Sequence, residues 1–337
     1  MRKLASVIIP CFNAQQWLPE AIDSCLQQTY SRIEIVVVND GSTDNCLEII
    51  KSYGDKIIWE SGANKGGNYA RNRGFALSSG EYIQYLDADD YLLPEKIERQ
   101  VRFLEETGAD VVYSDWRYKH HLPDGTTFLD DIKISGAQED ILESLLVNWW
   151  VAPAALLFRR GAVESCGGWD ESLKAGQDRD FFISVGMNGA KVLYQPGCYA
   201  IYRQYGKVTV STSSDVRRWE NHCLLLEKAE KKLSQSGRLS IKYRQALAKC
   251  YFTMARNFKY IDYNQYLRLL EKTLLIFPQF KADGSGFYHL TQRVCGFHGA
   301  ERISNFKYRT KQVFKKSIAN LAKKGSESRR KENSLLE

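Results

Sequence analysis

Several features that would direct the function elsewhere are missing from this 337-residue sequence. It has no run of roughly eighteen apolar residues, so a membrane-spanning helix is not expected. The eight cysteines form no C-x-x-C pair, which argues against a zinc site or a redox dithiol. The G-x-x-x-x-G-K-[ST] pattern of P-loop nucleotide hydrolases is also absent. The sequence therefore gives no support to a cysteine-bound zinc site, a redox dithiol or a P-loop nucleotide hydrolase.

The N-terminus carries only part of an export signal. Residues 1–3 (Met-Arg-Lys) are basic, but the apolar run after them stops at Pro10 and continues into the more polar residues 11–13. That run is too short for a signal peptide. We therefore expect a cytoplasmic protein whose scattered cysteines stay reduced and behave as small buried hydrophobes.

The net charge of +7 is concentrated at one end of the chain. Residues 301–337 hold eleven Lys/Arg and four Asp/Glu, so the first 300 residues sum to about zero. Residues 301–324 predict a basic amphipathic helix, followed by a flexible tail. Such a helix can lie on an anionic membrane at the inner face, or pack on the protein with its lysines solvated. The apolar positions that would share one face are Ile303, Phe306, Val313, Phe314, Ile318 and Leu321.

Strands and helices alternate along the first 115 residues. Amphipathic spacing predicts the helices, one of them N-capped by Ser42 or Thr43. Alternation of this kind implies parallel pairing in a doubly wound, Rossmann-like α/β sheet. The runs expected to form strands are Ala5–Ile9, Ile33–Val38, Ile57–Trp59, Tyr82–Leu86 and Asp110–Tyr113.

The later sequence predicts further regions. Residues after 115 are less regular, and beyond Ser214 the pattern is helical to about Phe277. The helical part contains only one weak repeat-like pair, so we expect an appendage and not a repeat array. The predicted domains are a catalytic domain at 1–212, divided into a nucleotide-binding half (1–115) and an acceptor half (116–212), a helical appendage at 213–300, and the basic end at 301–337.

Acidic residues follow two of the predicted strands. Asp40 ends one, and Asp87, Asp89 and Asp90 end another. Ligands of open α/β sheets bind outside these carboxyl ends. Close carboxylates repel one another unless a cation lies beside them, and their oxygens suit Mg²⁺ or Mn²⁺. The alternative is structural, with Asp87 and Asp89 capping the next helix and Asp40 belonging to a capping turn.

Three further groups can be either chemical or structural. Arg71 is a solvated helix-face cation or a planar fork that reaches phosphate or base. Asp178 and Asp180 start a helix, where they complement its N-terminus or supply a general base. Trp149 and Trp150 are candidate sugar-stacking platforms for an acceptor, although we expect at least one of them to pack in the core.

Six motifs in this order resemble those of the inverting family 2 glycosyltransferases with the GT-A fold. They lie within residues 4–205, and the last 130 residues or so are not covered. One departure is Gln177, where the family often has Glu, but the carboxylate that follows it is retained. The motifs are Val7–Asn13, Val37–Asp44, Asn64–Gly66 with Ala70–Gly74, Gly80–Asp90, Gly167–Glu171 and Gly176–Asp178.

The resemblance implies a Rossmann-like GT-A nucleotide-diphospho-sugar transferase fold with a C-terminal helical appendage. It also implies a role for individual residues, each of which has the chemistry required. The implied roles are base stacking for Phe12 beside Pro10, a hydrogen bond to the base for Asp40, help in holding the nucleotide for Arg71, contact with the ribose for Asp87, binding of Mn²⁺ or Mg²⁺ for Asp89, and removal of the acceptor's proton for Asp178.

The implied reaction transfers a hexosyl group from a nucleotide diphosphate, UDP being the commonest in the family, to an acceptor hydroxyl with inversion. A glycan or lipid-linked acceptor in cell-surface glycan or polysaccharide biosynthesis is expected, and no nucleic acid. A glycoside hydrolase would also use two carboxylates but would not need nucleotide-binding strand ends. A non-catalytic scaffold that binds sugar nucleotide or membrane is the main alternative, against which the retained Asp89 and Asp178 argue.

Overall fold

The computed structural model describes residues 2–173, 175–206, 215–282 and 286–304. In this part of the chain nine strands form a single mixed sheet. The strands are β1 (Ala5–Cys11), β2 (Ile33–Asp40), β3 (Ile58–Gly62), β4 (Tyr82–Tyr85), β5 (Tyr91–Leu92), β6 (Val111–His121), β7 (Thr127–Leu129), β8 (Leu156–Arg159) and β9 (Val192–Gln204).

The sheet is parallel in its first half and mixed in its second. Strands β3, β2, β1 and β4 lie side by side and pair in parallel, as the alternating sequence predicts. The expectation of parallel pairing as far as residue 115 is wrong, because β8 lies between β4 and β6 and pairs antiparallel with both. Strand β9 then runs parallel to β6 and antiparallel to the short β5.

Helices cover the sheet and continue into the C-terminal region. A further helix covers 286–304, and short 3₁₀ turns occur at Gly54–Lys56 and Pro153–Ala155. The other helices are α1 (Leu18–Leu26), α2 (Cys46–Ser52), α3 (Gly67–Leu77), α4 (Lys96–Thr107), α5 (Ile141–Val147), α6 (Arg160–Cys166), α7 (Gln177–Met187), α8 (Asp215–Gln235), α9 (Ile241–Phe258) and α10 (Tyr263–Ile276).

The start of α2 differs from the prediction. Its N-cap residue is Asn45, and the carboxylate of Asp44 accepts from the Cys46 N–H at 3.1 Å. Ser42 and Thr43 do not cap this helix, because both bind Asn13 in the loop after β1. The predicted capping residues therefore join two loops at the edge of the sheet.

Close packing fixes α3 against the centre of the sheet. Val7, Ile8 and Ile9 of β1 are completely buried, as expected for a parallel strand covered on both faces. A side chain on Gly74 would collide with the Ile8 methyl group, so only glycine lets α3 approach this closely. This approach sets the position of Arg71, one turn earlier on the same helix.

The chain forms two compact units, with the division after Phe280. Within the first, Lys228 of α8 bonds to the carboxylates of Asp170 at 2.6 Å and Asp180 at 2.7 Å. In the second, the Tyr288 hydroxyl donates to Glu301 at 2.6 Å. The basic helix predicted over 301–324 falls outside the described residues from 305 onward. Within the described part, every helix is too short or too polar to cross a bilayer.

Candidate active site

The loops that follow β1 and β2 are hydrogen-bonded to each other. The Asn13 N–H donates to the Ser42 hydroxyl at 3.0 Å, and the Asn13 side-chain oxygen accepts from the Thr43 N–H at 2.8 Å. Between them Phe12 is 50% exposed, and Pro10 is partly exposed. The structure therefore presents an aromatic ring to solvent at the carboxyl edge of the parallel strands.

Asp40 lies beside this ring-bearing loop at the end of β2 and is almost wholly buried. Its two carboxylate oxygens accept the backbone N–H groups of Lys65 at 2.7 Å and Gly66 at 2.8 Å. Asp40 thus shapes the turn that precedes α3 and does not cap α2. Each carboxylate oxygen offers more than one lone pair, so Asp40 retains the capacity to accept from a ligand as well.

Three carboxylates converge at the end of β4. One oxygen from each of Asp87, Asp89 and Asp90 lies within 4.8 Å of the others. Burial, followed by the charge of Asp87, raises the pKa of Asp89. Burial and the two neighbouring carboxylates raise the pKa of Asp90 well above its ordinary value. The cluster is therefore costly to ionise without a cation.

Arg71 of α3 reaches this cluster. Its guanidinium donates to Asp87 at 2.6 Å and lies 4.6 Å from the ring centroid of Trp169. Only 8% of Arg71 is exposed, so it is not a solvated helix-face cation. Helix α3, the Trp169 ring and the Asp87 carboxylate together fix the position of the Arg71 guanidinium beside the acid cluster.

The two acidic residues of α7 have different environments. The carboxylate of Asp180 is buried and paired with Lys228. Asp178 has no such partner among the residues that the structure describes. Its burial raises its pKa from 3.8 to about 6, an effect opposed by the charge of Arg71 and reinforced by Asp87. Asp178 is consequently the carboxylate of this helix that faces the acid cluster and can exchange a proton near neutrality.

Trp149 and Trp150 line a cleft of about 300 Å³ in the second half of the sheet. The Trp149 indole N–H donates to the Ser135 carbonyl at 3.3 Å, and Trp150 lies edge-on to Trp116 at 5.0 Å. Both predicted tryptophans are half-buried, so each packs partly and contributes partly to the cleft wall. Trp150 also borders a smaller cavity that Asp178 lines.

Sequence reasoning missed other residues of these sites. Trp116 and Tyr118 also line the cleft. Their spacing of two residues, which places side chains on one face of a strand, was the available signal. Arg203 and Tyr205, which bind the acid cluster, gave no signal. Strand β9, which carries Arg203, is interrupted by a Pro-Gly pair and was not predicted.

Comparison with known proteins shows a family similarity in the first half of the chain. Residues 6–164 match the model of glycosyl transferase family 2. This segment, just under half of the chain, is similar to family 2 glycosyltransferases. This family 2 match includes the residues predicted to bind nucleotide and metal, from Pro10 to Asp89, and stops before Asp178.

Several known glycosyltransferases are similar to this chain over about half of its length or less. An uncharacterized glycosyltransferase of Rickettsia typhi is 37% identical over 183 residues, which is 53% of this chain and 58% of that protein. One from Nostoc sp. is 39% identical over 172 residues, covering 47% and 52%. Glycosyltransferase GlyG of Streptococcus pneumoniae is 36% identical over 132 residues, covering 38% and 44%. The matches span between 44% and 58% of these relatives' own length.

The similarity of fold covers more of the chain than the family match does. Residues 1–349 of Staphylococcus aureus TarS, crystallised with UDP-GlcNAc, superpose with a TM-score of 0.58 at 20% identity, covering 82% of each chain. The similarity confirms the predicted Rossmann-like GT-A fold with a C-terminal helical region.

Proposed function

We propose that this protein is a metal-dependent glycosyltransferase, which transfers a sugar from a nucleoside diphosphate to an acceptor hydroxyl with inversion. The observation that carries the proposal is the meeting of three carboxylates beside Arg71 and Asp178. They meet at the carboxyl end of the parallel strands, the same edge that presents Phe12 and Asp40. A nucleotide site and a cation site would thus share one edge of the segment that matches family 2, with the proposed base, Asp178, beyond the end of the match.

The acid cluster has the chemistry of a site for Mn²⁺ or Mg²⁺. It offers hard oxygen ligands, and its buried members are costly to ionise unless a cation is added. Asp89 would hold the ion, with Asp87 beside it. When bound, the ion would act as a Lewis acid on the negative charge of the departing diphosphate.

Side chains of the first half would bind the nucleotide. Phe12, beside Pro10, has an exposed ring that suits stacking on a base, and Asp40 would accept a hydrogen bond from the base edge. Asp87 would reach the ribose, while its partner Arg71 would orient it and help hold the nucleotide. We favour UDP as the nucleotide because it is the commonest in the family, and the structurally similar TarS binds UDP-GlcNAc.

Asp178 would take the proton of the acceptor hydroxyl. With a pKa of about 6 it is mainly ionised at pH 7 but remains basic enough to accept a proton. General-base groups work best when their pKa lies near the working pH, and their contribution is about 10²- to 10⁴-fold. Attack on the sugar from the side opposite the diphosphate would invert the anomeric configuration.

The aromatic cleft would bind the acceptor. Its volume of about 300 Å³ and its walls of Trp149, Trp150 and Trp116 suit the apolar face of a sugar ring. Trp150 joins it to the cavity beside Asp178. A glycan or lipid-linked glycan, as used in cell-surface polysaccharide synthesis, is the acceptor class that we propose.

Nucleotide release from a panel of UDP- and GDP-sugars tests the function. We expect release with Mn²⁺ that stops in excess EDTA. Asp89→Ala should abolish it, whereas Asp87→Ala should mainly weaken nucleotide binding. Asp131→Asn, an exposed carboxylate on the acceptor side, is the matched control and should not change the rate. Full activity in EDTA would refute the metal requirement, and donor binding without any turnover would favour the non-catalytic alternative.

A further inference from the structure

Arg203 of β9 is a fully buried arginine directly behind the acid cluster. Its backbone N–H donates to the Asp90 carboxylate at 2.8 Å, and its guanidinium donates to the Asp89 carbonyl at 2.5 Å. With no exposed side-chain surface, Arg203 cannot touch a nucleotide or an acceptor. Any influence it has on the reaction must pass through the residues that it holds.

The other two nitrogens of the same guanidinium also make hydrogen bonds. One nitrogen pairs with Glu20 of α1, and Nε donates to the His121 ring at 3.1 Å. The guanidinium carbon lies 4.3 Å from the Trp17 ring centroid and 5.4 Å from that of Tyr91. These neighbours therefore fix the guanidinium in place, independently of its bond to residues 87–90, which we call the acid loop.

The acid loop needs such an anchor. Carboxylates of like charge within 4.8 Å repel, and repulsion favours conformations of the loop in which they separate. Arg203 opposes this separation by binding one backbone carbonyl and one side chain of consecutive residues. Two residues further on, the Tyr205 hydroxyl donates to the second carboxylate oxygen of Asp89 at 2.8 Å and orients it.

We propose that Arg203 is a positioning residue for the cation site, which holds the acid loop so that Asp87, Asp89 and Asp90 point to one place. The inference rests on the proposed metal-dependent function. This positioning depends on the shape of the guanidinium and not only on its charge. A lysine has a single nitrogen and cannot bind Glu20 and Asp89 in the same geometry.

Direct binding measurements test this without an acceptor or turnover. Mn²⁺ binding is measured by the electron paramagnetic resonance of unbound Mn²⁺ in the presence of UDP, and uridine binding is measured by calorimetry without metal. For Arg203→Lys we expect Mn²⁺ affinity to fall about 10- to 100-fold, the usual effect of losing a group that orients metal ligands. Uridine affinity should stay within about twofold, since the base would bind on other loops and Asp87, the proposed ribose contact, is held separately by Arg71 at 2.6 Å.

Arg99→Lys is the matched control. Arg99 also combines a carboxylate partner, Glu95 at 2.6 Å, with an aromatic ring, Tyr199 at 5.6 Å, but its contacts include none of the acid cluster. It should bind both ligands as the wild type does. Equal Mn²⁺ affinity in Arg203→Lys and wild type would overturn the role of Arg203 but leave the proposed metal site standing. A wild-type protein that binds no Mn²⁺ with UDP would overturn the proposed metal site and the inference together.

Two milder variants decide the case if Arg203→Lys does not fold. Glu20→Gln removes the negative charge that pairs with Arg203. The Glu20 side chain is 45% exposed, so the change disturbs the core little. Tyr205→Phe removes only the hydroxyl that orients Asp89. We expect each to weaken Mn²⁺ binding several-fold with unchanged uridine binding. Wild-type Mn²⁺ affinity in both would overturn the inference.

Discussion

At the scale of single residues, the environment of Asp178 determines when the proposed base can work. Burial raises its pKa to about 6, so protonation below that pH removes the base. We expect the turnover rate to fall as pH drops through about 6 and to level off above pH 7. A pH profile of the rate from 4.5 to 8.5 measures this.

Asp178→Asn should transfer at least about a hundredfold more slowly and should lose the fall in rate at acidic pH, while donor binding is kept. If Asp178→Asn transferred at the wild-type rate, another carboxylate would be the base.

The same residue links activity to stability. Its pKa is higher folded than unfolded, so the folded state is relatively favoured below pH 4 and loses this advantage as pH rises through about 6. Asp178→Asn removes the partly buried charge and should raise the free energy of unfolding at pH 8 by about 1–3 kcal/mol, with little change at pH 4. Urea denaturation at the two pH values measures the difference.

Asp180→Asn provides the contrast. It removes one of the two carboxylates that pair with Lys228 and leaves only Asp170, so it should destabilise the protein at pH 8. Stabilisation by Asp180→Asn, or destabilisation by Asp178→Asn, would contradict this account of the two residues.

Individual residues were predictable where they belong to local motifs. The grouping of Asp87, Asp89 and Asp90 followed from their place at a strand end, and the structure brings them together with Arg71. Arg203 was not predictable. Its contacts reach residues more than a hundred positions away, and no local pattern encodes such a distance.

At the scale of elements, the contact between α3 and β1 sets the position of Arg71. Gly74→Ala places a methyl group against Ile8 and must push α3 away. We expect a loss of about 1–3 kcal/mol in unfolding free energy, as for other overpacked cores, together with weaker nucleotide binding. Thermal denaturation and UDP titration measure the two effects.

Gly161→Ala is the control for that prediction. Gly161 lies in helix α6, and an added methyl there meets no atom within 4 Å. Alanine should be neutral or stabilise by up to about 1 kcal/mol, because it favours the helix more than glycine does. A Gly74→Ala protein as stable as Gly161→Ala would show that α3 is not tightly fixed.

Elements were predictable where hydrophobic period and turn residues agree. Strands β1 to β4 and the helices between them fall close to the predicted positions. Strand β5 has only two residues and forms through pairing with β9, so its sequence cannot reveal it. The antiparallel insertion of β8 was also missed, because alternation indicates the type of each element but not which strand becomes its neighbour.

At the scale of the whole molecule, the excess positive charge of residues 301–337 predicts binding to anionic membranes. Each basic residue near such a surface contributes about 1 kcal/mol. We expect the full chain to sediment with vesicles containing phosphatidylserine and not with neutral vesicles. Replacement of Lys311, Lys315 and Lys316 by Glu should release it, whereas Lys51→Glu, on the first unit, should not. Equal sedimentation of all three proteins would remove the membrane role of the tail.

The two ion pairs of Lys228 bear on where this protein can be divided. One lysine of α8 bonds to Asp170, in the motif after the family 2 match, and to Asp180, beside the proposed base. Arg179 adds a bond from α7 to the Leu145 carbonyl and a contact with Cys250 of α9. We therefore expect the smallest part of the chain that keeps these contacts to end after α9, beyond the predicted boundary at residue 212. A chimaera in which residues 116–212 are exchanged for those of another protein should therefore include the α8 and α9 of that protein as well.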